Sequence, residues 1–184
     1  MISWPSAVPT LLDGELMLRP WMPTDMEDVF QFCQDPWIQE YTTVPVPYTR
    51  ENAQQFFVHQ LDGFERQDAI AFAGVVNGEV VLSVALHHCT HFDHYCEVGY
   101  WVAPQARGNG YASRAAKLVA DYAFALGFRR IEAKTLPENA GSQRTLLNAG
   151  FEMETILRGA MTRRDETQTD AVVFAKFPPV TVEG

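Results

Sequence analysis

The segment VAPQARGNGYASRAAKLVADYAFALGF, residues 102–128, decides how the rest of the chain is interpreted. It begins as the end of an apolar run, passes through a turn with two glycines, and continues as a long amphipathic pattern. Two glycines flanking one residue cost chain entropy unless the backbone needs a conformation that other residues avoid. A glycine turn that leads into a helix directs several N–H groups one way, and the helix dipole adds partial positive charge. The segment therefore predicts an anion-binding strand–turn–helix unit.

The composition narrows the classes of protein. With 184 residues, 47% of them hydrophobic, the chain suits one globular domain over residues 1–184. A formal net charge of −9 without a basic stripe argues against nucleic-acid binding. We expect no membrane span, because no apolar run reaches about 18 residues. The beginning of the sequence does not resemble a signal peptide. The three cysteines (Cys33, Cys89 and Cys96) then indicate reduced thiols in a cytoplasmic protein.

The periodicity of the hydrophobic residues predicts an α/β fold. Strands are expected at residues 15–20, 69–76, 80–87, 96–103, 130–136, 151–157 and 171–177, with an Asn-Gly turn between the second and third. Four helices are expected: one opened by the capping pattern of residues 24–27 and ended at 35–37, one after Thr49, one at 111–126 and one at 139–148. The proline-rich run 43–48 predicts a loop. This order predicts a mixed sheet flanked by about four helices.

Two familiar phosphate-binding motifs fit the glycine turn poorly. A Walker loop needs Gly-Lys-Ser/Thr at its end, and here Gly110 is followed by Tyr111. A dinucleotide fingerprint would use Gly108, Gly110 and Glu132. However, the preceding strands look antiparallel, and about 75 remaining residues are too few for a doubly wound domain.

A third interpretation rests on a resemblance to a known family. Gln105-x-x-Gly108-x-Gly110, between a strand and a helix, resembles the pyrophosphate loop of the GNAT superfamily of N-acetyltransferases. EVGYWVAP (97–104) resembles the strand before that loop, NAGSQRTLLNAGF (139–151) the family's Asn-x-x-Ser helix, and ILRG (156–159) the segment that follows. The proline loop, EVGYW and LRG are similar to the branch of the RimJ/RimL ribosomal-protein N-terminal acetyltransferases. The resemblance covers nearly the whole chain. It implies a mixed, mostly antiparallel sheet splayed between its fourth and fifth strands, here 96–103 and 130–136.

The resemblance implies that acetyl-CoA is the co-substrate. The main-chain N–H groups of the loop would hold its pyrophosphate, and Arg107 would add charge; the loop residues are Arg107, Gly108, Asn109, Gly110, Tyr111 and Ala112. The pantetheine arm would lie in the splay against Val102 and Pro104, with Asn139 reaching toward it. A tight turn without a ligand, and plain helix capping by Asn139, are the structural alternatives.

Glu97 and Ser142 are the candidate catalytic residues. Glu97 shares a strand face with Gly99 and Trp101 and would draw a proton from the amine through water; a purely structural carboxylate is the alternative. Many relatives carry a tyrosine acid four residues after the serine, where this chain has Leu146. Ser142 or a water molecule must then protonate the leaving thiolate, unless Ser142 is only a first-turn hydrogen bonder. A strong acid is dispensable, because a thiol with a pKa near about 8.5 leaves tolerably as the thiolate.

The resemblance implies a primary amine as the acceptor, first of all a protein or peptide N-terminus. A small amine, amino acid or antibiotic as acceptor, and a non-catalytic acyl-CoA-binding module, are the alternatives. Trp37, Tyr111 and the 43–48 loop are candidates for the acceptor pocket or for packing. The sequence does not distinguish a monomer from a homodimer.

A histidine-rich stretch, HHCTHFDHYC at 87–96, holds four of the five histidines. Its spacing matches no standard zinc pattern. His87 and His88 are adjacent, and neighbours on a regular strand point to opposite faces. We therefore expect no metal site, no stoichiometric zinc in purified protein, and solvated histidines that border the acceptor site.

Overall fold

One open sheet of eight strands organises the computed structural model, which describes residues 1–179. The strands are β1 Leu11–Asp13, β2 Leu16–Arg19, β3 Ile70–Val76, β4 Glu79–Thr90, β5 Tyr95–Val102, β6 Arg130–Thr135, β7 Glu152–Thr162 and β8 Gln168–Lys176. Their order in the sheet is β1-β2-β3-β4-β5-β6-β8-β7. Every neighbouring pair is antiparallel except β5 and β6, which are parallel. The predicted mixed, mostly antiparallel sheet is confirmed. The single-domain prediction includes residues 180–184, which lie outside the described part of the chain.

Two layers of helices cover the sheet. The α-helices are α1 Met26–Phe32, α2 Pro36–Tyr41, α3 Arg50–Glu65, α4 Tyr111–Leu126 and α5 Ala140–Asn148. The first three pack around Trp101 of β5 in one apolar cluster. The α4 and α5 helices pack with Val98 of the same strand in the main core. Because successive side chains of a strand point to opposite faces, these two β5 residues show that the layers lie on opposite sides of the sheet.

The segment between α1 and α3 differs from the prediction. Asp35-Pro36-Trp37 was expected to end a helix, but it begins the short helix α2, so residues 1–179 contain five α-helices rather than about four. The Asp35 carboxylate accepts the Ile38 N–H at 3.0 Å, and Pro36 occupies the first helical turn. An Asp-Pro pair can begin a helix, with the aspartate as N-cap and the proline in the first turn. The same pair can also follow the end of a helix, because proline does not continue one. The sequence alone did not separate these two meanings.

The splay predicted between the fourth and fifth strands is confirmed, between β5 and β6. Pairing between them is limited to residues 95–97 of β5 with 130–132 of β6. Beyond Glu97 the two strands separate, while β5 remains paired to β4 as far as Val102. Residues 98–102 therefore turn one edge of β5 toward a gap in the sheet, immediately before the glycine turn.

Candidate active site

The glycine turn takes the backbone conformation that its sequence predicted. Gly108 and Gly110 both have positive φ, 81° and 76°. A Cβ added at Gly108 would meet nothing within 4 Å, so the φ value, and not crowding, demands glycine there. The Asn109 side chain donates to the carbonyl of Ala106 at 3.1 Å and stabilises the turn from inside. Gly110 is the N-cap of α4, which Tyr111 begins.

The N–H groups of residues 108–113 have no hydrogen-bond partner among residues 1–179. The Arg107 N–H, which the prediction included, donates instead to Pro104 at 3.4 Å, and the helical ladder resumes with Arg114 N–H to Gly110 at 3.2 Å. The row of free N–H groups therefore covers 108–113 instead of the predicted 107–112. Consecutive free N–H groups at the start of a sixteen-residue helix favour an anionic ligand.

The side chain of Arg107 is engaged elsewhere in the structure. Its guanidinium forms a salt bridge with Asp35, the N-cap of α2. Burial would raise the pKa of the Asp35 carboxyl, but the Arg107 hydrogen bond and the N–H groups of α2 hold that pKa below its usual value. Arg107 therefore joins the glycine turn to α2. To add charge to a bound phosphate, as predicted, Arg107 would have to share its guanidinium with Asp35 or break this salt bridge.

Val102 and Pro104 lie where the splay meets the turn. Val102 is the last residue of β5 and is paired on the β4 side, with Leu82. The Pro104 carbonyl accepts the long bond from Arg107, which leaves its second lone pair for another donor. Both residues lie at or just past the end of the open edge of β5, and their contact with the pantetheine arm stays a prediction.

Asn139 caps helix α5, as one of the two interpretations expected. Its Oδ1 accepts the Ser142 N–H at 3.0 Å. The Asn139 Nδ2 group has no partner within residues 1–179. Capping uses Oδ1, so a ligand contact by Nδ2 stays a prediction that the cap does not exclude.

Ser142 is bound to a residue that the sequence reasoning missed. Its Oγ lies 2.9 Å from the hydroxyl of Tyr100, which also donates to the Ser142 carbonyl at 3.2 Å. Burial raises the pKa of Tyr100 to about 12, so this phenol keeps its proton at neutral pH. Leu146, in the place where many relatives have a tyrosine, is fully buried in the main core. A phenol hydroxyl is thus present beside Ser142, but it comes from β5.

Glu97 lies on the opposite face of β5 from Tyr100, within a polar network. Its Oε1 accepts the Tyr95 hydroxyl at 2.9 Å and Lys134 Nζ at 3.0 Å, and lies 3.3 Å from His88 Nδ1. The side chain is 14% exposed. Burial would raise the pKa of Glu97, but hydrogen bonds from Lys134 and Tyr95 outweigh burial and lower it. Glu97 is therefore an ionised carboxylate at neutral pH.

Residues of alternating charge on β6 (Arg130, Glu132 and Lys134) extend the network around Glu97. Lys134 also lies 3.4 Å from Glu132, the parallel partner of Glu97, and Arg130 joins Glu132 at 2.7 Å and contacts Glu154. Sequence reasoning noted Glu132 only as part of a rejected nucleotide motif. Alternation along residues 130–134 would have placed these charges on one face, but their contact with Glu97 depends on the parallel pairing of β5 and β6.

The two adjacent histidines do not point to opposite faces of β4. The register between β4 and β5 shifts between His87 and Thr90, and His88 has a φ of 49°. This bulge brings the two imidazoles together, with Nδ1 atoms 3.3 Å apart. The prediction that His87 and His88 point to opposite faces is therefore wrong, whereas their spacing still matches no standard zinc pattern. Burial and the neighbouring His88 lower the pKa of His87.

The candidate acceptor residues occupy different settings. Trp37 is 54% exposed on α2, with its ring 4.7 Å from that of Tyr41. Tyr111 packs partly into the main core beside the glycine turn. The 43–48 loop is held by Arg164, which donates to Val44 at 2.8 Å and also to the carbonyls of residues 39 and 42. The hairpin of β7 and β8 thus reaches across to α2.

Comparison with known proteins agrees with this architecture. A sequence profile described as an acetyltransferase (GNAT) domain matches residues 15–152. The uncharacterized N-acetyltransferase p20 of Bacillus licheniformis is 28% identical over 153 residues, covering 81% of this chain and 85% of that protein.

Two solved structures share the fold. Mycobacterium smegmatis RimJ in complex with CoA-disulfide has a TM-score of 0.83 at 24% identity, covering 96% of this chain and 89% of that one. RimL, a ribosomal alpha-N-protein acetyltransferase in complex with coenzyme A, has a TM-score of 0.85 at 17% identity, covering 92% and 98%. The RimJ/RimL-like topology expected from the sequence is confirmed. With the profile covering three quarters of its length, the chain belongs to the GNAT family of N-acetyltransferases.

Proposed function

We propose that this protein transfers the acetyl group of acetyl-CoA to a primary amine, at the N-terminus of a protein or peptide. The observation that carries the proposal is the row of free N–H groups at 108–113, just beyond the end of the β5 edge that faces the gap between β5 and β6. A pyrophosphate on those N–H groups would leave the pantetheine arm to run along the open edge of β5. Neighbours with this fold include RimJ and RimL, and RimL acts on a ribosomal protein, which supports a protein N-terminus as acceptor.

The two faces of β5 divide the chemistry. On the face of Glu97, the amine attacks the thioester carbon, and a water molecule carries its excess proton to the carboxylate. A main-chain N–H of β5 near Tyr100 or Val102 would stabilise the oxyanion. The carbon–sulfur bond then breaks, and the thiolate of coenzyme A takes a proton from Ser142 or from water. The products are the acetylated amine and the free thiol.

The low pKa of Glu97 makes it a weak base. A weak base is sufficient for an N-terminal amine, because such an amine is partly neutral without help from the protein. An N-terminal amine has a pKa of about 7.7–8.0, so a useful fraction is neutral at physiological pH. The carboxylate needs only to take the proton that the amine loses on forming the amide. The hydrogen bond between Ser142 and Tyr100 supplies a neutral hydroxyl pair on the other face.

A non-catalytic acyl-CoA-binding module is the second candidate, because Leu146 replaces the tyrosine acid of many relatives. A small amine as acceptor is the enzymatic alternative. All three cysteines are buried and free, in keeping with the cytoplasmic location that we propose. No helix of residues 1–179 is long and apolar enough to cross a membrane.

Release of free thiol from acetyl-CoA, measured with a panel of amines, tests the proposal. Peptides with N-terminal Ala, Ser or Thr should turn over faster than small polyamines and amino acids. Turnover of small amines but not of peptides would show that the acceptor is a small amine and not a protein N-terminus. Thermal stabilisation by acetyl-CoA without any turnover would indicate the binding module.

A further inference from the structure

We propose that His87, His88 and Glu97 form a binding site for a transition-metal dication such as Zn²⁺, at the edge of the candidate active site. The three residues belong to the bulge of β4 and to the facing position of β5. One ligand atom from each lies within 4.8 Å of the others. The proposal replaces the expectation of no metal that the sequence suggested.

The separations suit a tetrahedral ion. Zn²⁺ binds imidazole nitrogen and carboxylate oxygen at about 2.0–2.2 Å, so neighbouring ligand atoms of a tetrahedral site stand roughly 3.3–3.5 Å apart. His87 Nδ1 and His88 Nδ1 are 3.3 Å apart, and His88 Nδ1 is 3.3 Å from Glu97 Oε1. Two of the three edges of the cluster therefore already have the length that a bound ion requires.

The backbone holds both imidazoles near that geometry. A Cβ at Gly99 would lie 2.9 Å from His87 Nε2, so glycine makes room for the His87 ring against β5. His88 keeps a left-handed φ of 49°, which costs energy for a residue with a side chain. A strained bulge that brings two histidines to one carboxylate is the kind of feature that recurs at functional sites.

The surrounding charge permits a cation. Glu97 Oε1, the oxygen in the 3.3 Å edge, also accepts hydrogen bonds from Lys134 Nζ and the Tyr95 hydroxyl. An ion would share Oε1 with them or bind Oε2, which has no hydrogen-bond partner in the described part of the chain. Three carboxylates (Glu97, Glu132 and Glu154) face two cations (Arg130 and Lys134) in this network. The net charge of these five side chains is therefore negative before an ion binds, and imidazole binds metals in its neutral form.

The ligand set selects the class of metal. Two imidazoles and one carboxylate suit Zn²⁺ and its neighbours in the first transition row, whereas Mg²⁺ and Ca²⁺ prefer oxygen ligands. The His88 side chain is 72% exposed, so water can reach the ion and complete its coordination. An ion on Glu97 would occupy the carboxylate that the proposed function uses as the base. Inhibition by Zn²⁺ therefore rests on that proposed function, whereas metal binding does not.

Calorimetric titration of the whole protein with ZnCl₂, without coenzyme A or other thiols, tests the site. We expect one Zn²⁺ per chain, and at least tenfold weaker binding in His88→Ala. His59→Ala removes another exposed histidine, on α3, and should bind Zn²⁺ like the wild type. Circular dichroism checks that each variant is folded. Equal affinity of His88→Ala and wild type, or no binding to either, would overturn the site.

A second measurement separates the site from the proposed function. Each variant's turnover with Zn²⁺ is compared with its own turnover without Zn²⁺, and His88→Ala should lose most of the inhibition seen in wild type. Binding that depends on His88 but leaves turnover intact would support the metal site and contradict the use of Glu97 as the base. Equal inhibition of wild type and His88→Ala would show that Zn²⁺ inhibits from another site, and it would refute inhibition through Glu97.

Discussion

The glycine turn and the charged corner around Glu97 lie at opposite ends of β5, and they were assembled in different ways. The turn is built from neighbours in sequence, residues 104–113, and the groups that we propose bind a ligand are main-chain N–H groups. The corner collects Glu97, Lys134 and His88 from three strands, and its functional groups are side chains. Local backbone conformation creates the first site, whereas strand pairing and a bulge create the second. Substitutions should therefore remove the first site almost completely and change the second in graded steps.

The largest effect is expected from Gly110→Val. Valine disfavours the φ of 76° at this position, and its side chain would add bulk at the N-cap of α4, beside the free N–H groups. Acetyl-CoA should raise the Tm of the wild type and leave the Tm of this variant unchanged, and turnover should be lost.

Gly78→Val provides the matched control. Gly78 also has a positive φ, 85°, but it lies in the turn between β3 and β4. Both variants should be destabilised, yet only Gly110→Val should lose the shift caused by acetyl-CoA. If acetyl-CoA raised the Tm of both variants, the glycine turn would not be part of the acetyl-CoA site.

Glu97→Gln should lower kcat by roughly 10²-fold while acetyl-CoA binding stays nearly intact, because the amide cannot accept the amine proton. Raising the pH should partly restore this variant, since more of the amine is then neutral. Glu132→Gln removes a carboxylate at the parallel position of β6 and should change kcat by less than about threefold, because no proton transfer is assigned to it. Wild-type turnover by Glu97→Gln at neutral pH would show that another group accepts the proton.

Ser142→Ala should cost roughly tenfold in kcat, because water can protonate the departing thiolate. Tyr100→Phe removes the hydroxyl that is 2.9 Å from Ser142 Oγ and should cost no more than that. The double variant should resemble the worse single variant if the two hydroxyls act as one unit. Additive losses would assign them separate roles.

The smallest effect concerns stability. Lys134 lowers the pKa of Glu97 in the folded protein, so their ion pair stabilises the fold above the unfolded pKa of about 4.3. That contribution disappears as pH falls through the lower folded pKa. Lys134→Met should therefore lower the Tm at pH 7, and the difference from wild type should shrink toward pH 3. Lys117→Met, which removes an exposed pair within α4, should change the Tm less at pH 7. A Tm difference for Lys134→Met that is independent of pH would mean that packing alone accounts for it.

Most of the fold was readable from the sequence because its signals are local. Patterns within a few neighbouring residues predict three of its parts: the hairpin of β3 and β4, the long helix α4 and the glycine turn. Asp35-Pro36 was misread because the same dipeptide can end one helix or begin the next. Arg107 was assigned to the cofactor, and only the folded chain shows that α2 presents Asp35 to it.

What the sequence by itself determined is the conformation of the glycine turn, since positive φ at two glycines and a following helix depend on no distant residue. Tertiary structure alone decided the surroundings of the catalytic candidates. The Tyr100 hydroxyl reaches Ser142 across 42 positions of sequence, and Lys134 reaches Glu97 across 37. The bulge that joins His87 and His88 arises because β4 carries one more residue than β5 between paired positions. The register between strands depends on the packing of the whole sheet, so a local sequence pattern does not predict it.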